Sequence, residues 1–218
     1  MTLDLRCYLV TSGTGRRTVE AAAAAAAGGA GMIQVRAKSA TAAELLELTC
    51  AVASAVHQAQ PAARVVVDDR ADVAFAARRL GAQVHGVHLG QEDLPVAAAR
   101  ALLGPEAIIG LTTGTIETVR RAEELHDLLD YVGAGPFRPT PTKESGRQPL
   151  GTSGYRALVA ATRLPVVAIG GITVADVASL ARTGIAGVAL VREIMDADDP
   201  ELTAREVVTA LGRPPARR

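Results

Sequence analysis

The sequence predicts a single-domain α/β fold, a closed (β/α)8 TIM barrel over residues 1–212, and three observations carry that reading. Short β-rich runs alternate eight times with longer alanine- and leucine-rich windows, the rhythm of βαβ units. No shift in composition marks a linker between them. Side chains with chemical potential fall almost entirely at the C-terminal ends of the predicted strands, the face on which such barrels carry their sites. Closure also leaves no strand edge unpaired. An open, doubly wound sheet has the same rhythm, and counting elements does not separate the two.

In chain order, a strand at 5–10 is followed by Thr11 and Ser12 and by a helix at 17–27. That helix holds the run Ala21 to Ala27; alanine is the strongest helix former, so a barrel helix packing on a small face is expected. The strand at 32–35 runs into Arg36 and Lys38, ahead of a helix at 41–58. A third strand, 64–67, ends in Asp68-Asp69-Arg70; in the helix at 71–80, Asp72 suits the positive end of the macrodipole, and Asp69 could serve as an N-cap. The fourth, 86–89, contains His88 and leads to Gln91, Glu92 and Asp93, with Pro95 opening a helix at 95–103. After the strand at 108–111 come Thr112, Thr113 and Thr115 and a helix at 115–125. The sixth strand, 131–133, enters the loop GPFRPTPTKESGRQPLG, where four prolines exclude a helix and a central strand. A helix at 153–162 precedes the strand at 166–169, which ends in Gly170-Gly171, and a helix at 174–183 follows. The last strand, 187–191, meets Arg192, and a helix at 201–211 leaves a short basic tail at 213–218, read as a solvated terminus.

Bulk properties narrow the function. With 23 basic and 23 acidic side chains the net charge is zero, so electrostatics offers no case for nucleic acid or a membrane surface. Two cysteines make neither a disulfide framework nor a zinc site, and Cys7 in its apolar run is expected as a buried free thiol. The N-terminal residues lack a signal-peptide layout, and no run of about 18 apolar residues occurs. A cytoplasmic, soluble protein acting on small molecules is expected, with a homo-oligomer left open.

The mouth of the predicted barrel looks built for anions. Alternation along the second strand puts Gln34, Arg36 and Lys38 on one side and Ile33, Val35 and Ala37 on the other. Two inward cations are costly without an anion, or else they pair with carboxylates such as Asp69; the motif alone leaves both open. Asp69 and Asp93, at neighbouring strand ends, are hard oxygen ligands suited to Mg²⁺ completed by substrate phosphates. His88 has no serine or cysteine partner and reads as a hydrogen-bonded structural residue. The Gly170-Gly171 pair and the loop after the eighth strand make a candidate phosphate cup. Thr140, Thr142 and Lys143 in the proline-rich loop add hydroxyls and an ammonium. With no nucleophile–base dyad, positioning and charge neutralisation remain as the chemistry.

The ordered segments YLVT, IQVRAK, DDRADVA, GVHLGQEDLP, GPFRPTPTK and VVAIGGI resemble the thiamine-phosphate synthase family over essentially the whole chain. The resemblance implies a (β/α)8 barrel that joins hydroxymethylpyrimidine diphosphate to a thiazole phosphate, or its carboxylated form, releasing thiamine phosphate and pyrophosphate with Mg²⁺. It assigns Asp69 and Asp93 to the metal. Gln34, Val35, Arg36, Ala37, Lys38, Asp68, Thr112 and Lys143 would hold the pyrimidine diphosphate. Thr140, Pro141 and Thr142 would contact the thiazole phosphate, whose phosphate would sit on Gly171, Val191 and Arg192. Lys143, Arg36, Lys38 and Thr112 form the implied catalytic set, serving a dissociative reaction in which pyrophosphate leaves before the thiazole nitrogen attacks. This chain departs from the family pattern at Asp68, usually Asn, at Val84-His85-Gly86, usually Ala-Asp-Gly, and at Thr112 to Thr115, usually Ser-x-His-Thr. A related group of thiazole tautomerases would need histidine at Gly114, and a non-catalytic thiazole-phosphate sensor would not need Asp69, Asp93 and Lys143.

Overall fold

A computed structural model of the chain describes residues 3–139 and 148–212. Eight strands, β1 (Cys7–Val10), β2 (Met32–Val35), β3 (Arg64–Asp68), β4 (Gly86–Leu89), β5 (Ile108–Thr113), β6 (Tyr131–Ala134), β7 (Val166–Ile169) and β8 (Gly187–Leu190), pair in parallel in chain order. The eighth returns to the first, with Leu9 opposite Leu190, so the sheet is a closed barrel and not the open alternative. Helices α1 (Arg16–Ala27), α2 (Ala42–Ala59), α3 (Ala71–Arg79), α4 (Val96–Leu103), α5 (Ile116–Glu123), α6 (Gly151–Ala160) and α7 (Val174–Ala181) each follow one strand. After β8 come a four-residue helix, α8 (Arg192–Met195), and α9 (Pro200–Leu211). The short helix has too few residues to carry a helical period, and the sequence reading passed over it.

Period-two strands sort their side chains into two cores. Outward residues such as Ile33, Val35, Val65 and Val67 meet the helices in the larger cluster. Tyr8, Val10, Met32, Val66, Ile108 and Tyr131 fill the barrel interior. The alanine run behaves as expected: Ala21, Ala22, Ala25 and Ala26 are buried, letting α1 pack closely against α2 and α9. Cys7 is a buried free thiol, and burial pushes its pKa up to about 12. Among the described residues no helix is long and apolar enough to cross a membrane.

Candidate active site

A cavity of about 680 Å³ opens at the C-terminal end of the barrel, within the usual range for small-ligand sites. Its wall includes Gln34, Arg36, Asp68, Thr112, Gly171, Val191 and Arg192, so the structure brings these expected residues together. Val35 is fully buried in the sheet–helix layer and Ala37 packs on that layer, so any ligand contact they make is through the main chain. Thr140, Pro141, Thr142 and Lys143 lie outside the described residues.

Charges at the rim are crowded. Arg36 Nε lies 3.2 Å and Lys38 Nζ 3.4 Å from Asp68 Oδ2, and Lys38 also pairs with Asp69. Of the two alternatives left open by the sequence, the pairing with carboxylates is the one seen for both cations, and Arg36, but not Lys38, also lines the cavity. Arg70 is occupied elsewhere, by Asp72. Burial, and then the charge of Asp69, push the Asp68 carboxyl up to about 6 in spite of both cations. Asp69 is not an N-cap; Arg70 holds that position, and Asp69 adopts φ 61°, a left-handed conformation uncommon outside glycine. Its carboxylate lies near enough to that of Asp93 for each to shift the other, and Asp93 accepts from Gly90 N–H at 2.6 Å. Burial works against charge on both; Lys38 nevertheless keeps Asp69 below the usual carboxylate range, while the proximity of Asp69 raises Asp93. Two neighbouring carboxylates favour a proton or a cation between them. Their hard oxygens fit Mg²⁺ that takes its remaining ligands from phosphate and water. Among the described residues, no third His, Cys, Asp or Glu joins them.

Opposite the acidic rim, Gly170 and Gly171 take φ values of 105° and 69°. A Cβ on Gly170 would stand 2.7 Å from Pro136 Cα, and one on Gly171 2.6 Å from Arg138 Cγ, so glycine is required at both. The loops after β6 and β7 are thereby zipped together, with Phe137 N–H donating to Ile169 O and Arg138 N–H to Gly170 O.

Sequence reasoning passed over Tyr8 and Tyr131, both buried at the cavity floor. Tyr8 OH lies 2.6 Å from Tyr131 OH and accepts from Gln34 Nε2 at 2.9 Å. Tyr131 OH lies 3.0 Å from His88 Nδ1, and His88 Nε2 is 2.9 Å from Thr112 Oγ1. His88 is hydrogen-bonded on both ring nitrogens, as its lack of a nucleophile partner suggested. Strand register, which the sequence does not give, brings them together: Gln34 stands beside Val10, two residues past Tyr8, and Tyr131 stands beside Gly110, two residues before Thr112.

The sequence model described as thiamine monophosphate synthase matches residues 7–194. A thiamine-phosphate synthase of Corynebacterium jeikeium is 57% identical over 207 residues, covering 95% of this chain and 94% of its own. One from Corynebacterium efficiens is 58% identical over 212 residues, covering 97% of each chain. Among solved structures, thiamine phosphate pyrophosphorylase from Pyrococcus furiosus superposes with a TM-score of 0.82 at 32% identity, over 96% of both chains. The barrel, its mouth and these likenesses agree: the chain belongs to the thiamine monophosphate synthase family.

Proposed function

We propose that the protein is a thiamine-phosphate synthase, a transferase that joins hydroxymethylpyrimidine diphosphate to a thiazole phosphate and releases pyrophosphate. The observation that carries this reading is the meeting of Asp69 and Asp93 beside a cavity lined by Arg36, Asp68 and Thr112. Family membership supports the same conclusion.

In this reading Asp69 and Asp93 hold Mg²⁺. When bound, the metal would neutralise charge on the diphosphate as it becomes a leaving group. Arg36 and Lys38, released from Asp68 and Asp69 as the diphosphate arrives, donate to its oxygens, and Lys143 adds a third cation. Gln34 orients the pyrimidine end, and Thr112 donates to the diphosphate. Bond cleavage then precedes attack: pyrophosphate departs, the aminopyrimidine ring supports the methylene cation, and the thiazole nitrogen captures it. Thr140, Pro141 and Thr142 hold the thiazole partner, with its phosphate on Gly171, Val191 and Arg192. Gly114 separates this site from the tautomerase arrangement, which needs a histidine there.

Pyrophosphate release, followed with each substrate alone and with both, tests the reading. Release is expected only with both substrates and Mg²⁺, and to fall to background after chelation. Unchanged turnover after exhaustive chelation would remove the metal from the mechanism; no turnover under any condition would defeat the assignment.

A further inference from the structure

The buried chain Gln34–Tyr8–Tyr131–His88–Thr112 crosses the barrel from β2 to β5, using side chains of five strands. It joins two groups that meet the cavity, Gln34 and Thr112, through three that the reaction does not otherwise use. Space for it is reserved in the backbone. A Cβ at position 110 would lie 2.2 Å from Tyr131 Cζ and 2.6 Å from His88 Nδ1, so Gly110 is needed for the ring pair to pass. The His88 and Tyr131 rings are stacked, with centroids 5.5 Å apart, and Tyr8 meets Tyr131 edge-on.

Every link in the chain has a donor and an acceptor, so its direction is set from one end. Gln34 Nε2 can only donate, which makes the Tyr8 oxygen an acceptor there. Tyr8 O–H then donates to Tyr131 oxygen, Tyr131 O–H donates to His88 Nδ1, and His88 carries its proton on Nε2. That proton is donated to Thr112 Oγ1, leaving the threonine O–H to donate elsewhere. Burial holds both phenols far above their ordinary pKa, so each stays protonated and able to donate.

We infer that Tyr8, Tyr131 and His88 are positioning residues that lock the two ends into opposite polarity: Gln34 offers an acceptor and Thr112 a donor. The planar amide of Gln34, with Nε2 turned to Tyr8, leaves Oε1 for an N–H of the ligand. Thr112 O–H is left for an anionic oxygen. An exocyclic aromatic amine at one end and a phosphate oxygen at the other match that pair. This rests on the two-substrate reading above, in which a pyrimidine diphosphate occupies this wall. Polarity at the two ends is coupled: a reversed chain would turn an amide N–H toward the amine and a bare oxygen toward the phosphate, mismatching both.

Nitrogen NMR on histidine-labelled protein without substrate, at a pH well above the ordinary histidine range, tests it. The His88 signals, assigned by their loss in His88→Gln, should report a bare Nδ1 and a protonated Nε2. A proton on Nδ1, on both nitrogens, or shared equally between tautomers would overturn the inference. The second arm is Tyr131→Phe, which removes the donor to Nδ1. Its Nε2–H preference should fall, and kcat should drop about tenfold, less than for outright loss of a preorganised donor. KM for the thiazole phosphate should hold steady. A folded variant with wild-type kcat would also overturn it. Failure of the wild type to release pyrophosphate would instead defeat the functional reading, since the tautomer is read without turnover.

Discussion

The two ends of the barrel both carry charged side chains close to strand termini, but they treat them in opposite ways. On the floor, two acids are closed off by donors. Asp130 accepts from Ile109 N–H at 2.8 Å and from Arg100 at 3.1 Å. Glu123 accepts from Thr162 and from Arg163, which hold its carboxyl down at about 2. His85 Nδ1 accepts from Val65 N–H at 3.0 Å; burial, then the charge of Arg64, push its pKa down to about 4, so it serves as a neutral staple. At the mouth, Asp68 is pushed up to about 6, Asp93 is raised by burial and then by Asp69, and Asp69 sits in a left-handed turn. These floor charges are satisfied within the protein, while burial and like charge oppose ionisation of Asp68 and Asp93 at the mouth. In the proposed function, a metal and phosphates would relieve that opposition.

A large effect on turnover is expected from Lys143→Ala, which the proposed function sets against the diphosphate. It should lower kcat on the order of 10²-fold, as for loss of one electrostatic donor, with KM changing less. Normal kcat with weaker binding alone would make Lys143 a uniform binding group.

A floor substitution should do the reverse. Asp130→Ala strands Ile109 N–H and removes a partner from Arg100, costing about 1–3 kcal/mol. Thermal unfolding should move down by roughly 3–10 °C. The kcat of the folded fraction should be unchanged; a kcat loss without a Tm shift would blur the division between the ends.

The smallest expected effect belongs to Asp68→Asn, which restores the residue usual in the family. Asp68 is paired with Arg36 and Lys38, so removing its charge frees both for a diphosphate. The value of kcat should stay within about tenfold, roughly 1.4 kcal/mol, and KM for the diphosphate should hold or fall. A larger drop, rescued by raising Mg²⁺, would make Asp68 a metal ligand and undo the two-carboxylate site.

Much of this organisation was legible in the sequence because strand periodicity and strand-end position are local properties. The expected strands and helices match with ends moved by no more than two residues. Arg36, Asp68, Thr112 and Gly171 could be placed at the mouth because each follows or ends an apolar strand. The tyrosine–histidine chain was not legible in the same way. It depends on how five strands register across the barrel, and Tyr8 and Tyr131 read as ordinary strand residues when each is taken alone. Nor could the sequence say that Arg70 would turn to Asp72 and leave Asp68 to Arg36 and Lys38, which depends on the backbone turn at Asp69.

Asp69→Asn tests the central claim most directly, because asparagine tolerates the left-handed conformation and keeps the shape while removing the charge. Pyrophosphate release and thermal unfolding should be measured on the same preparation. The account predicts a fall in turnover of roughly 10²–10³-fold, with Tm equal to or above that of the wild type as the crowding with Asp68 and Asp93 is relieved. A Tm lowered by several degrees, with full turnover in the molecules that remain folded, would contradict it and make Asp69 a structural residue.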